Sequence, residues 1–139
     1  MKAKIKLLTK TAKVPTKTDD GNICYDIYCN EAIELFPAQR KAIGTGIAIQ
    51  PEDGWGIEIR ERSGLGSNGL KLFAGECDNG YTGEYKVIAM NLSGSMFKFE
   101  VGDRIAQIKP IKINPIEFEE VDEFELTDRG EKGFGSSGR

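Results

Sequence analysis

The sequence contains no histidine among its 139 residues. Histidine is the commonest general base and the commonest metal ligand near neutral pH. Its absence excludes every Ser–His and Cys–His nucleophile system. If the protein catalyses proton transfer from a water molecule, an aspartate is therefore the natural candidate for the base.

Cysteines and long apolar runs are also scarce. Cys24, Cys29 and Cys77 form no CxxC pair, and we interpret them as reduced apolar residues. No apolar run approaches the ~20 residues that a membrane helix needs. The basic start MKAKIKLLTK has too short an apolar stretch for a signal peptide. We therefore expect a cytoplasmic protein (in the host cell cytoplasm if it is viral) that does not act at a membrane.

The charge is small but unevenly distributed. A net charge of −3 does not suggest a nucleic-acid-binding protein, and we expect no nucleic-acid partner. Residues 1–18 carry six lysines and no acid, whereas residues 117–131 carry eight acids and one base, Arg129. We interpret both runs as solvated surface. The length and the 39% of hydrophobic residues are typical of one globular domain.

Short strands dominate the predicted secondary structure. Apolar and polar residues alternate over residues 4–7, 57–60 and 97–101. Residues 43–49 and 85–92 are apolar runs of the length of a buried strand. Glycine-rich turns separate these segments, and no 3.6-residue period is sustained. The pattern predicts an all-β sandwich or barrel.

The pattern allows one helix and one arm. Residues 63–70 could form a helix, but their three glycines make it short. Regular structure is predicted to fade after about Leu126. We therefore predict a β domain over residues 1–126 and a flexible C-terminal arm over residues 127–139.

The arm, RGEKGFGSSGR, has two interpretations. Its composition is typical of a solvated tail. Its backbone N–H groups could also bind an anion, Arg129 could form a fork onto a phosphate, and Phe134 could stack on a nucleobase. From the residues alone both interpretations stay open.

Two other segments suit a phosphate ligand. Arg62, Ser63 and Gly64 follow a predicted strand and offer a charge, a hydroxyl and a backbone N–H. The alternative is a polar surface turn. In the segment GDRIAQ, Asp103 and Arg104 could be structural, and Gln107 could face the barrel wall or a ligand.

Two aspartates are candidates for chemistry. Asp78 lies near the tip of a predicted β-hairpin over residues 75–84, where it could hydrogen-bond the backbone or activate a water molecule. Asp26 lies inside an apolar strand and needs a partner. An arginine and a metal-bound water are equally suitable partners.

The order of five motifs resembles that of the trimeric dUTP diphosphatases (dUTPases), from about residue 20 to the end. The motifs are YDI, RSGLG, GECDNGYTGEY, GDRIAQ and RGEKGFGSSG. The resemblance implies a distorted jelly-roll β-barrel and a homotrimer with active sites at subunit boundaries. It also implies Mg²⁺-dependent hydrolysis of dUTP to dUMP and pyrophosphate, which keeps uracil out of DNA and supplies dUMP for thymidylate synthesis.

The resemblance also implies a role for each matching residue. Asp78 would activate the water that attacks the α-phosphorus, and Tyr81 would pack on the deoxyribose and exclude a 2′-hydroxyl. Asp26 would support the water shell of the metal or the region of Arg62, while the substrate phosphates hold most of the Mg²⁺. The phosphates would be bound by Arg62, Ser63, Gly64 and Gln107. The uracil edge would be recognised by Gly75, Glu76, Cys77 and Lys86. The closing arm would contribute Arg129, Phe134, Gly135 and Ser136. In the arm, Arg129 would hold the γ-phosphate and Phe134 would cover the uracil.

Four residues depart from the family pattern. Ile23 and Cys24 stand where Ala-Gly usually precedes the Tyr-Asp pair, and Cys77 replaces a β-branched residue before the catalytic Asp. Leu72 stands where many relatives carry an Asn that contacts the base. The departures at Leu72 and Cys77 concern uracil recognition rather than the reaction.

Other functions remain as alternatives. One is a regulatory module of dUTPase fold that binds a partner protein under nucleotide control. Another is a deoxycytidine-nucleotide deaminase of the same fold, although its motifs are not found here. A purely structural jelly roll would not need Arg62, Asp78 and a glycine-rich arm together.

Overall fold

The computed structural model describes residues 1–133 of the chain. In that range eleven strands and one short helix follow each other as β1 (Ala3–Leu7), β2 (Tyr25–Tyr28), β3 (Ile33–Leu35), β4 (Arg40–Gly44), β5 (Ile47–Pro51), β6 (Trp55–Arg60), α1 (Ser63–Ser67), β7 (Leu70–Phe73), β8 (Glu76–Cys77), β9 (Lys86–Asn91), β10 (Phe97–Phe99) and β11 (Arg104–Lys112). The predicted all-β class is confirmed, and so is the short helix within residues 63–70.

The strands pair into four antiparallel sheets. The largest has the order β2-β11-β6-β8, and a second has the order β4-β9-β7. Two further pairs, β1-β5 and β3-β10, complete the arrangement. The core between them is apolar, and its least exposed members include Ile27, Leu35, Ile43, Ile47, Leu70, Tyr85, Val87 and Ile105. Burial of these side chains supplies most of the favourable free energy of folding.

The apolar run 43–49 forms two strands instead of the single strand predicted. β4 ends at Gly44 and pairs with β9, whereas β5 begins at Ile47 and pairs with β1. The chain changes sheet at Gly46, which has a φ of +68°. A Cβ there would come within 2.8 Å of the Asn30 side chain, so the turn requires glycine.

The hairpin predicted over residues 75–84 is also wrong. β8 pairs with β6, and the next strand, β9, pairs with β4 and β7 in another sheet. Residues 78–85 therefore form a loop between two sheets. Turn residues mark where the chain reverses, but they do not determine which strand becomes the partner.

Regular structure ends earlier than predicted. β11 ends at Lys112, and residues 113–133 contain no helix or strand. Several large apolar side chains of this segment are largely exposed: Ile116, Phe118, Phe124 and Leu126. The domain boundary after residue 126 stays a prediction. Phe134, Gly135 and Ser136 lie outside the described residues.

No helix in residues 1–133 combines the length and the apolar character needed to span a bilayer.

Candidate active site

Strand β11, which carries the GDRIAQ motif, brings the YDI and RSGLG motifs next to it. Gln107 lies opposite Asp26 of β2 on one side and opposite Arg60 of β6 on the other. Arg62 follows two residues after Arg60, at the start of α1. Residues far apart in the sequence are therefore adjacent across three neighbouring strands of the largest sheet.

Asp26, Arg62 and Gln107 line a cavity of about 710 Å³. We call it the Arg62 pocket, and its lining residues are Lys17, Thr18, Gly21, Asn22, Ile23, Cys24, Asp26, Arg62, Ser63, Gly64, Arg104 and Gln107. Five of the predicted site residues are among them, namely Asp26, Arg62, Ser63, Gly64 and Gln107. The sequence did not indicate the contribution of residues 17–23, which form the outer wall.

Asp26 is held by two arginines. Its Oδ1 atom accepts a hydrogen bond from Nε of Arg62 at 2.8 Å, and its Oδ2 atom contacts Nη1 of Arg104 at 3.3 Å. The side chain is only 15% exposed, so it needs such partners. Of the two partners considered for a buried aspartate, arginine is the one that the structure places there.

Arg104 and Asp103 have different surroundings. Oδ2 of Asp103 accepts a hydrogen bond from the backbone N–H of Glu100 at 2.8 Å, which closes the turn before β11. Asp103 is therefore a structural residue of the turn. Arg104, in contrast, lines the Arg62 pocket.

Glu61 supports the segment that carries Arg62, and sequence reasoning missed it. Its Oε1 atom accepts hydrogen bonds from Nζ of Lys71 at 2.7 Å and from the backbone N–H of Leu72 at 3.0 Å. Burial alone would raise the pKa of the Glu61 carboxyl, but these hydrogen bonds outweigh burial and lower the pKa to about 2. The backbone oxygen of Glu61 also accepts a hydrogen bond from Nε2 of Gln107 at 2.8 Å.

Ser63 and Gly64 are exposed at the start of α1. The backbone oxygen of Arg62 accepts a hydrogen bond from the N–H of Gly66 at 2.8 Å, which forms the first helical turn. A Cβ added at Gly64 would meet no described atom within 4 Å. Packing within residues 1–133 therefore does not require glycine here, and the backbone at Gly64 is accessible to a ligand or to another chain.

The loop that carries Asp78 is fixed by the next residue. Nδ2 of Asn79 points at the backbone oxygens of Pro51, Glu52 and Trp55, at 3.3, 2.9 and 2.9 Å. Asp78 is exposed, and its backbone oxygen accepts a hydrogen bond from the N–H of Tyr81 at 3.1 Å. The aspartate is thus positioned through its backbone, and its side chain can receive a water molecule.

Tyr81 is held in the same loop. Its hydroxyl donates to the backbone oxygen of Glu84 at 3.0 Å, and its ring stacks on Tyr85 with centroids 5.9 Å apart. A Cβ at Gly83 would approach the Tyr81 hydroxyl to 2.5 Å. Glycine at position 83 is therefore needed for this orientation of the tyrosine ring.

The predicted uracil-binding segment forms the edge of the largest sheet. The backbone oxygen of Gly75 accepts a hydrogen bond from the N–H of Ile59 at 2.7 Å, and Cys77 lies opposite Ile57. Burial, with smaller effects of Asp78 and Glu76, raises the pKa of the Cys77 thiol to about 11. The thiol is therefore protonated at neutral pH and is not a nucleophile.

Lys86 and Arg129 lie apart from the Arg62 pocket. Nζ of Lys86, at the first position of β9, is 3.6 Å from Oε2 of Glu84. In the described part of the chain, the Arg129 side chain donates only to the backbone oxygen of Lys132, at 3.2 Å.

One chain does not bring the two main groups of site residues together. Cys77 pairs with Ile57, and Arg62 is five residues further along the same extended segment. At ~3.3 Å per residue, the backbone at Ile57 lies about 16 Å along the chain from that at Arg62. Residues 75–81 do not line the Arg62 pocket, so the two groups form separate surfaces of one chain.

No cluster of metal-binding side chains is present in residues 1–133, where no three His, Cys, Asp or Glu residues are close enough to hold an ion. The Arg62 pocket is lined by one carboxylate, Asp26, and in the other group Asp78 and Glu76 lie near Cys77. Such a donor set suits an ion whose other ligands come from a bound phosphate chain and water.

Comparison with known proteins gives a consistent result. A family model described as dUTPase matches residues 10–138. The chain is 37% identical over 142 residues to a deoxyuridine 5′-triphosphate nucleotidohydrolase of Wolinella succinogenes, covering 100% of this chain and 95% of the relative. It is 38% identical over 141 residues to the Helicobacter pylori protein of the same name, covering 99% and 97%.

Solved structures show the same similarity. The dUTPase of Staphylococcus bacteriophage 80alpha, solved with dUpNHpp, superposes with a TM-score of 0.91 at 29% identity and covers 99% of both chains. A dUTPase of phage phi11 of S. aureus, whose structure concerns a structural Mg(II) ion, has a TM-score of 0.82 at 24% identity, covering 91% of this chain and 100% of that one. The predicted jelly-roll fold of the dUTPase type is confirmed.

Proposed function

The chain belongs to the dUTPase family, and on this premise we propose that it hydrolyses dUTP to dUMP and pyrophosphate at a site shared between copies. The observation that carries the proposal is the arrangement of the family motifs. One group forms a cationic pocket, and the other presents an exposed aspartate on a fixed loop. The enzyme is favoured over the regulatory alternative, since the curated relatives are named nucleotidohydrolases.

The Arg62 pocket binds the phosphate chain. Its lining contains three cationic side chains, Lys17, Arg62 and Arg104, against one carboxylate, Asp26. The excess of positive charge attracts a polyanion, and guanidinium groups form short hydrogen bonds with phosphate oxygens. Asp26 keeps the Arg62 guanidinium in place through the 2.8 Å contact with Nε. This leaves the two terminal nitrogens of Arg62 for the ligand.

Asp78 activates the attacking water. With no histidine in the chain, the Asp78 carboxylate is the natural group to take up the proton as the oxygen attacks the α-phosphorus. The Asn79 contacts hold the loop, so the carboxylate is positioned before the substrate binds. The electron pair of the bond to the bridging oxygen leaves with pyrophosphate.

The substrate is selected by the edge of the sheet and by Tyr81. β8 is an edge strand, and in the described residues only β6 pairs with it. Its outer backbone groups, from Gly75 to Cys77, are available for the uracil edge, as is the segment near Lys86. The Tyr81 ring, which the Glu84 oxygen and Tyr85 hold in place, packs on the deoxyribose and leaves no space for a 2′-hydroxyl.

We propose a homotrimer with sites shared between copies, as the resemblance to the trimeric family implies, and the separation of the two groups in one chain supports it. Each site combines the Arg62 pocket of one copy with the Asp78 loop of another. The exposed apolar side chains of residues 113–126 support association, since burying them between copies is favourable. The arm closes the site with Arg129, Phe134, Gly135 and Ser136.

Mg²⁺ is the proposed cofactor. The ion would neutralise phosphate charge during the attack, with most of its ligands supplied by the triphosphate. The described carboxylates fit this arrangement, because Asp26 is engaged by two arginines and could contribute at most through a water molecule. Location in the cytoplasm and a regulatory protein partner stay predictions.

The reaction is tested by pyrophosphate release from dUTP, dCTP, dTTP and UTP, with Mg²⁺ and with EDTA. We expect release from dUTP alone, and its loss in EDTA. Release from UTP at a similar rate would contradict the role of Tyr81. No release from any nucleotide would refute the proposed enzyme and favour the regulatory module.

The shared site is tested by mixing two inactive variants. Asp78→Asn should lower kcat by ~10²–10⁴, the usual effect of losing a general base. Co-expression of Asp78→Asn with Arg62→Gln forms mixed trimers in which roughly a quarter of the sites regain both native residues. Recovered activity supports a shared site, whereas mixed trimers as inactive as the single variants would place both residues in one chain's site.

A further inference from the structure

The position of Arg104 depends on an irregularity in β11. Gln107 lies opposite Asp26 and Ala106 opposite Ile27, yet Arg104 lies opposite Tyr28. The register shifts between Arg104 and Ala106, which leaves one extra residue on β11. This is a β-bulge, a feature that redirects side chains and often lies beside functional sites.

The bulge determines which side chains face the Arg62 pocket. In a regular strand, positions 104 and 107 would lie on opposite faces, because side chains alternate with period two. Here both line the pocket, and the two residues between them, Ile105 and Ala106, are both fully buried at 0% exposure. Without the extra residue, Arg104 and Gln107 could not face the same ligand.

Arg104 is also the more exposed of the two arginines at Asp26. Its side chain is 52% exposed, against 30% for Arg62, and its contact with Asp26 is longer, 3.3 Å against 2.8 Å. One carboxylate can compensate only one of the two guanidinium charges. A positive charge therefore remains in the pocket beside the ligand position of Arg62.

The third cation of the pocket is engaged elsewhere. Nζ of Lys17 is 3.6 Å from Oδ1 of Asp20, and it lies 5.4 Å from the centre of the Tyr25 ring. In residues 1–133, Arg104 uses only one of its five N–H donors, in the contact with Asp26. Arg62 likewise uses only its Nε donor, so the two arginines keep equal donor capacity, and Arg104 is the more exposed of them.

We propose that Arg104 is a substrate-binding residue: while one Nη1 donor contacts Asp26, its outer donors bind a phosphate of the triphosphate beside Arg62, and the bulge at Ile105 directs it there. The identity of the ligand rests on the proposed function, but anion binding can be measured separately from catalysis.

The experiment measures binding of inorganic pyrophosphate with Mg²⁺ by calorimetry. The variants are Arg104→Gln and Arg104→Lys, and the control is Arg40→Gln, an exposed arginine of β4 outside the pocket. We expect Arg104→Gln to weaken pyrophosphate binding by about 10- to 100-fold, the range for a lost hydrogen bond between charged groups. Arg104→Lys should lose less, because it keeps the charge, and Arg40→Gln should bind like the native protein.

Two further measurements distinguish phosphate binding by Arg104 from a purely structural role of this residue. Added salt should weaken pyrophosphate binding less in Arg104→Gln than in the native protein, because one ionic contact is missing. In dUTP hydrolysis by Arg104→Gln, the KM for dUTP should rise by a larger factor than kcat falls, relative to the native protein. If Arg104→Gln does not fold, the pyrophosphate affinity of Arg104→Lys, compared with that of the native protein, decides whether Arg104 binds the ligand.

Three outcomes would overturn the proposal: no pyrophosphate binding by the native protein, unchanged binding by folded Arg104 variants, or an equal loss in Arg40→Gln. Failure of the proposed function is a different result. A native protein that does not hydrolyse dUTP refutes the enzyme, whereas the pyrophosphate titration still decides the role of Arg104.

Discussion

At the scale of single residues, the Arg62 pocket depends on a carboxylate that does not line it. The Glu61 carboxylate, directly before Arg62, accepts hydrogen bonds from the Lys71 side chain and from the backbone N–H of Leu72. These contacts are stronger with the ionised carboxylate than with the neutral acid, so they lower the pKa of Glu61 to about 2. A lowered pKa in the folded state means that the native protein gains stability from the ionised form.

We therefore predict a pH-dependent loss of stability for Glu61→Gln. Above the unfolded pKa of about 4.5, the variant should be less stable than the native protein by about 1–3 kcal/mol. The difference should shrink as the pH falls from about 4.5 to about 2, because the native carboxyl then becomes protonated. The measurement is urea unfolding at pH 7 and pH 3, at one protein concentration.

The matched control is Glu117→Gln, which removes an exposed acid from the segment after β11. Its stability should follow that of the native protein at both pH values. A stability loss in Glu61→Gln that is equal at pH 7 and pH 3 would contradict the ionic origin of the effect.

At the scale of elements, the loop between β8 and β9 is fixed at one point. Asn79 bridges the loop to the end of β5 and to the turn before β6 through three backbone oxygens. The loop has no strand partner of its own, so this amide replaces the pairing that a hairpin would have provided. The position of Asp78 therefore depends on its neighbour.

We predict that Asn79→Ala lowers kcat by ~10- to 100-fold, because a displaced general base loses its alignment with the water molecule. Thermal unfolding should show a trimer that is still folded. The control in the same loop is Thr82→Ala, an exposed residue whose loss should leave kcat nearly unchanged. An Asn79→Ala enzyme with native kcat would show that the loop is held by other contacts.

At the scale of the whole molecule, residues 113–139 consist of two parts with different roles. Residues 113–126 carry apolar side chains that a single chain leaves exposed, whereas the arm from residue 127 carries Arg129 and the glycine-rich motif. On the proposed function, the first part supports association and the second part closes the site.

Two truncations test this division. Ending the chain after Leu126 should leave a folded trimer with little activity, because water is no longer excluded and phosphate charge is less well neutralised. Ending it after Lys112 should also weaken the trimer, as measured by sedimentation. Full activity after the first truncation would disprove closure by the arm, and an intact trimer after the second would remove residues 113–126 from the interface.

Much of this protein follows from local sequence features. Alternation over residues 4–7 and 57–60 predicted strands β1 and β6, and the lack of a 3.6-residue period predicted the all-β class. The five motifs identified the family. The absence of histidine made an aspartate, Asp78, the predicted general base. These features are visible because strand periodicity and motif spacing are properties of neighbouring residues.

Tertiary structure decided what depends on pairing between distant residues. The run 43–49 is two strands because its halves pair in different sheets, and residues 75–84 form no hairpin because β8 pairs with β6. Arg104 faces the pocket because one extra residue shifts the register, and a shift of one residue changes the face of every side chain that follows. No local pattern contains that information, since register is set by the partner strand.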